Sequence, residues 1–226
     1  MKNRSATVLD TTDSPWAACA PVPVDHVTWT DGFWSERYRQ AATVSLRRLW
    51  DLLADPDAGH VLQNFRCAAG DTETAYSGTN WQDAWAYKWL EAASCFQRTA
   101  PALWIDGCME TVIPLIEAAQ EPDGYIATQI TATGRKRFKN PTHHELYVMG
   151  HLLTAGEVLG LRAAADLGDV EGSVDLAVIA VPARLVPGVF DTCVRRGVGG
   201  IVLITAGFKA IDDPEGGRLQ DALARR

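Results

Sequence analysis

The chain has 226 residues, 47% of them hydrophobic and 22% charged, with a formal net charge of −7, a balance that suits one large or two small globular domains. An acidic chain without clustered Lys and Arg offers no field for a phosphate backbone, which argues against nucleic acid as a partner. No run of about 18 uninterrupted apolar residues occurs, so no membrane-spanning helix and no membrane partner are expected.

Residues 1–20 read as a loose, flexible leader. Lys2 and Arg4 are followed by Asp10, Thr11, Thr12 and Asp13, where an export signal needs an apolar run, so a cytoplasmic location is expected. The five cysteines, Cys19, Cys67, Cys95, Cys108 and Cys193, are odd in number and form no C-x-x-C pair. They read as reduced, buried thiols. Val27 to Trp34 is a short extended entry with a turn at Asp31-Gly32. From Glu36 to Leu53 the positions Ala41, Val44, Trp50 and Leu53, with Leu46 and Leu49 between them, predict a helix with one buried face, ended by Asp55-Pro56-Asp57.

Val61 to Ala69 reads as a second helix, followed by a polar loop through Thr79. Asp83 to Arg98 is a strongly patterned helix, with Thr79 or Asn80 placed to cap it. Thr99, before Pro101, opens the next helix, which runs to Gln120 and should kink or break at Gly107 or Pro114. Pro122-Asp123-Gly124 is a turn, Arg135 to Lys139 a basic loop, and Pro141 precedes a helix that contains His144. Successive amphipathic helices joined by polar loops describe helical hairpins.

In that last helix His144, Tyr147 and His151 fall on one face, since three and seven residues return to nearly the same angle. Polar rings on an otherwise apolar face suggest a pocket wall; the alternative is that each is a satisfied core or rim residue. A zinc-protease helix is not supported, because His144-Glu145 has no second histidine at the H-E-x-x-H spacing and the next one is His151. No metal ligands are assigned.

The ordered stretches Thr30-Asp31-Gly32-Phe33-Trp34, Asn64-Phe65, Trp81 to Glu91, Glu117 to Ile126 and His143 to His151 resemble glycoside hydrolase family 127, the β-L-arabinofuranosidase family, from about Pro21 to about Glu157. The resemblance implies an (α/α)6 barrel, of which residues 21–158 would hold only the opening hairpins. The apolar helix faces left uncovered would favour self-association. It also implies a catalytic cysteine held by zinc with other cysteines and a glutamate. Those motifs lie beyond the point where this chain leaves the family, so no catalytic residue is assigned and zinc would belong to the intact family only. What the resemblance carries over is recognition of a small carbohydrate. His144 matches a histidine that hydrogen-bonds the sugar, and Asp83, Tyr147 and His151 complete the expected substrate-binding set. Tyr87 and Trp89 are expected to shape or pack the pocket. Trp85 departs from the pattern, since many members have an acid there.

All eight Trp and all five Tyr lie at or before Tyr147, which predicts a junction near residues 158–166. Beyond it, Asp175 to Val181 is a continuous apolar run, as in a strand buried on both faces. Ala183 to Arg196 is a helix stopped by Gly197, Gly200 to Thr205 a second buried strand, and Asp213-Pro214 opens a last helix. Val178-Ile179-Ala180-Val181-Pro182-Ala183, Arg196-Gly197-Val198 and Ile204-Thr205-Ala206-Gly207-Phe208 resemble the coenzyme-A-binding domain of ADP-forming acyl-CoA synthetases and the succinyl-CoA ligase α subunit. The resemblance implies that Pro182, Ala183, Thr205 and Gly207 border the cofactor, at the carboxyl ends of parallel strands; ordinary helix-strand turns would look the same. No G-x-G-x-x-G precedes the segment and no phosphorylated histidine has a counterpart, so CoA binding is expected to be weak or absent.

The expectation is a mainly α chain, incomplete (α/α)6-barrel hairpins followed by a short βαβα, half Rossmann-like segment over residues 165–226. The corresponding function is a glycoside hydrolase-like fragment without catalytic apparatus. Its alternatives are a CoA-binding or interaction module, or a fusion of two gene pieces with no selected function.

Overall fold

A computed structural model describes residues 18–19, 21–160, 167–170, 172–179, 181, 183–203 and 214–225, the side chains of 214–216 and 219 excepted. The expected leader, apart from residues 18 and 19, lies outside the described residues, as do Pro182, Thr205 and Gly207. The chain is mainly helical and divides into two compact units, Met1–Arg162 and Ala163–Arg226.

Helix α1 (Gly32–Gln40) passes through a π-helical turn, Ala41–Ser45, into α2 (Leu46–Ala54). The wider turn advances the chain by an extra residue and rotates the face that follows. The buried positions are therefore Ala42, Leu46 and Leu53, with Trp50 packed beside them, whereas Val44 and Leu49 are exposed, contrary to the uniform helical pitch read from the sequence. Helix α3 (Val61–Ala69) is held to the following loop by Asn64, whose amide donates to the Ser77 carbonyl at 2.8 Å and whose oxygen accepts from the Ser77 N–H at 3.1 Å.

Helix α4 (Asp83–Thr99) has no side-chain N-cap. Instead the Gln82 side chain reaches back to accept from the backbone N–H and hydroxyl of Thr79, half of a capping box, and Asn80 donates to the Thr142 carbonyl. Helix α5 (Leu103–Ala119) begins after Pro101, not at Thr99, which closes α4, and it runs through Pro114 without interruption. A short α6 (Thr128–Thr133) was not expected from the sequence. A 3-10 turn, Pro141–His143, then leads to α7 (Glu145–Leu159), ended by Gly160 in the left-handed region.

Helix α4 packs against α7 and α2, and α3 against α5 and α6. Their common core holds Phe65, Tyr87, Leu90, Ile105 and Val112, where each large apolar side chain contributes roughly 1.5–3 kcal/mol by burial. Trp89 lies in this core, its indole N–H donating to the Leu46 carbonyl at 3.0 Å and its ring 4.8 Å from that of Trp50.

In the second unit β1 (Leu176–Ile179) and β2 (Gly200–Leu203) pair in parallel, with α8 (Val186–Arg196) between them in sequence and α9 (Pro214–Leu223) after them. Ile179, Val186, Cys193 and Leu223 form its core. Gly197, at φ 74°, ends α8, as its freedom to enter the left-handed region allows. The strands are not buried on both faces: Leu176, Val178 and Leu203 are exposed, because among the described residues the apolar cluster covers one side of the pair.

The cysteines differ from expectation. Cys108 and Cys193 are buried, Cys67 and Cys95 half-buried, and Cys19 exposed. No helix among the described residues is long and apolar enough to cross a membrane.

Candidate functional site

The entry to α7 is built by short polar contacts. Asn140 accepts from the Thr142 N–H at 3.0 Å and its hydroxyl at 2.8 Å, which folds the Pro141–His143 turn. His144 follows at φ 57° and ψ 24°, left-handed and outside the helix, while its carbonyl accepts from Val148 at 3.0 Å. A non-glycine residue there is strained, and such strain gathers where a side chain has to be aimed. Glu145, 5% exposed, accepts from the Phe138 N–H and from the Tyr125 hydroxyl, which ties the loop after α6 to the first turn of α7. A carboxylate in a first turn also meets the positive end of the helix.

Left-handed geometry turns the His144 ring toward Trp81, edge to face at 5.1 Å. The row continues from His144 to Tyr147 at 6.1 Å and from Tyr147 to His151 at 4.7 Å. Thus His144, Tyr147 and His151 are brought together, with His144 standing at the cap rather than within the helix. Trp81, His144 and Tyr147 are exposed and His151 is half-buried. Burial lowers the His151 pKa below the ordinary histidine value, and the nearby Lys88 charge adds to this against the opposing field of Glu91. The imidazole is accordingly neutral near pH 7, able to donate and accept at once.

Sequence reasoning did not single out Trp81 and Lys88 as site residues. The Lys88 ammonium donates to the Tyr147 hydroxyl at 2.6 Å and lies 5.3 Å from the Trp85 ring and 5.1 Å from the Tyr147 ring. Trp81, Trp85 and Lys88 recur at four and three residues, the spacing of one helical face, and that was the available signal.

Asp83 stands apart from the row. It is 3% exposed, and its carboxylate accepts the backbone N–H of Thr128 at 2.8 Å and the Thr128 hydroxyl. Burial pushes its pKa up to about 6, against the pull of these bonds. Asp83 therefore positions α6, each of its oxygens accepting one hydrogen bond from Thr128. Tyr87 is fully buried, its hydroxyl without a hydrogen-bond partner and its pKa driven up by burial and by Asp83.

In the second unit Ala183 alone of the four positions expected at the cofactor is described. It is half-buried and opens the 3-10 turn Ala183–Leu185.

Two family models match the chain. One, described as beta-L-arabinofuranosidase, GH127 catalytic domain, matches residues 26–160, and the other, a CoA binding domain, matches residues 125–207. The ranges overlap over 125–160, where α6 and α7 lie in the helical unit. The chain is 32% identical over 152 residues to a non-reducing end beta-L-arabinofuranosidase of Bifidobacterium longum subsp. longum, an alignment that takes in 58% of this chain and 23% of that protein. The crystal structure of a GH127 beta-L-arabinofuranosidase from Geobacillus stearothermophilus T6 superposes with a TM-score of 0.55 at 36% identity, over 59% of this chain and 22% of that one. An ADP-forming acetate–CoA ligase of Methanocaldococcus jannaschii is 44% identical over 59 residues, which are 26% of this chain and 8% of the ligase. The chain thus spans about a quarter of the arabinofuranosidases that it resembles and under a tenth of the ligase.

Proposed function

The chain belongs to the GH127 catalytic-domain family of β-L-arabinofuranosidases over residues 26–160, and from that premise we propose that its helical unit is a fragment of an (α/α)6 glycosidase barrel that contacts a furanoside through the ring row. The observation that carries this reading is His144, held in a left-handed conformation that turns its imidazole between Trp81 and Tyr147. Flat rings with polar tips suit a sugar, which offers both C–H faces and hydroxyl groups.

Binding is proposed without turnover. The family's nucleophile is a cysteine held by zinc, and the donors here do not fit that group. Among the described residues no three His, Cys, Asp or Glu side chains converge as metal ligands. Burial pushes the Cys95, Cys108 and Cys193 thiols up, so their surroundings alone activate none of them as a thiolate. The exposed faces of α1 and α5, with Phe33, Trp34 and Leu103, support self-association of the isolated chain.

The test is a titration of the purified chain with methyl β-L-arabinofuranoside by NMR, alongside arabinose release from a synthetic β-L-arabinofuranoside with and without zinc. Saturable binding that His144→Ala weakens, without release, is expected. Binding indifferent to His144→Ala would overturn the site, and zinc-dependent release abolished by His144→Ala would overturn the absence of catalysis.

A further inference from the structure

The ring row carries a positive charge that a neutral furanoside leaves unused. Lys88 is held in place by Trp85, Tyr147 and the 2.6 Å bond to the Tyr147 hydroxyl. An ammonium has three donors, and that hydroxyl takes one. Among the described residues no carboxylate lies within ion-pairing distance of Lys88; the pairs found are Arg47 with Asp51 and Arg137 with Glu121 and Asp123. Glu91 acts on His151 through its field and forms no ion pair with Lys88. Position 85, three residues before Lys88 on the same face, holds a tryptophan where an acid would have neutralised it.

We propose that the shelf formed by Trp81, Trp85, His144, Tyr147 and His151 takes a carboxylate-bearing saccharide, a uronic acid residue, whose carboxylate pairs with Lys88. This rests on the reading of the row as a sugar site and names the substrate class within it. An ammonium already ordered by two rings meets a carboxylate without first losing side-chain freedom. The neutral His151 imidazole adds a hydrogen-bonding group without a second charge. The chain as a whole is acidic, with a net charge of −7, so an anionic ligand is drawn to the shelf by a local feature and not by the overall field.

The probes are methyl α-D-galacturonide, methyl α-D-galactoside as its neutral counterpart, and methyl β-L-arabinofuranoside, each titrated by NMR into the full chain at low salt. The galacturonide is expected to bind about fivefold more tightly than the galactoside, the scale of a partly exposed charge pair. The preference should vanish at about 0.5 M salt. It should also vanish in Lys88→Gln and persist in Lys88→Arg. Salt sensitivity of the unmodified chain decides the matter if Lys88→Gln fails to fold. Equal affinity for galacturonide and galactoside, with the arabinofuranoside still bound, would overturn this proposal and leave the sugar site standing. Binding of none of the three would overturn both.

Discussion

Thr128 gives both its backbone N–H and its hydroxyl to the Asp83 carboxylate, so the first residues of α6 and α4 are locked together through a buried ionisable group. Burial raises the Asp83 pKa from the ordinary 3.8 to about 6. The folded chain therefore holds this proton more tightly than the unfolded chain does. The stabilising contribution is complete below the ordinary carboxylate range and is lost as pH rises through about 6. From 3.8 to about 6 the difference is worth about 3 kcal/mol. Urea denaturation between about pH 4 and 7 should therefore show a steeper loss of stability with rising pH in the native chain than in Asp83→Asn. Parallel profiles would show that Asp83 does not titrate in this window.

Glu145 depends on donors in the same way. Its carboxylate is 5% exposed and is satisfied by Tyr125 and the Phe138 N–H. Burial and Glu145 raise the Tyr125 hydroxyl pKa, so the phenol remains a donor at alkaline pH. Tyr125→Phe removes that donor and leaves a buried acceptor short of a partner, a loss of about 1–3 kcal/mol in unfolding free energy. Glu145→Gln, which keeps an accepting oxygen for the phenol, should be milder. A Tyr125→Phe chain as stable as the native one would remove the carboxylate from the structural account.

These two acids show what the sequence could and could not convey. The α3, α4 and α8 helices were legible because their apolar positions recur at helical spacing and their ends carry glycine or a capping pattern. Helix α6 was not legible: Thr-Gln-Ile-Thr-Ala-Thr has no apolar stripe, and its start is held by Asp83, 45 residues earlier. The π-helical turn at Ala41–Ser45 was invisible for a related reason, since nothing local marks the residue at which a helix widens. His144, Tyr147 and His151 were grouped by pitch, yet His144 reaches the row by a left-handed backbone that pitch does not predict. Lys88 is not legible as a site residue by itself, since its fixed position arises from Tyr147 across the helix packing.

The division of the chain at Arg162 and Ala163 leads to a prediction for proteolysis. Each unit has its own apolar cluster, so a protease at low concentration should first cut between Glu157 and Asp169 and leave a fragment containing α1 to α7. Mass spectrometry of the earliest fragments is the measurement. First cleavage inside Asp83–Thr99 would indicate a single rearranged unit instead.

Coenzyme A should bind the chain weakly or not at all. The expected contact residues include no Gly-rich loop to gather phosphates, and a helix N-terminus alone supplies only part of such a site. Calorimetry should detect no binding at micromolar ligand. A micromolar dissociation constant, about −8 kcal/mol, would instead favour the second unit as the functional one.

The strain at His144 separates its conformational role from its chemical one. At φ 57° the residue occupies a region that glycine enters freely and a side chain enters at a penalty of about 1 kcal/mol or more. His144→Ala and His144→Gly both remove the imidazole from between Trp81 and Tyr147, but only glycine also relieves the backbone. Glycine makes the unfolded chain more flexible, which offsets part of that relief. The net expectation is that His144→Gly unfolds at a higher denaturant midpoint than His144→Ala by the equivalent of about 0.5–1 kcal/mol, while both lose affinity for methyl β-L-arabinofuranoside to the same extent. A midpoint for His144→Gly below that of His144→Ala, as glycine's flexibility alone would give, would mean that the left-handed backbone is not strained, and the argument that it is maintained in order to aim the ring would fail. A glycine variant more stable than the native chain and deficient in sugar binding would place the strain and the binding on the same residue.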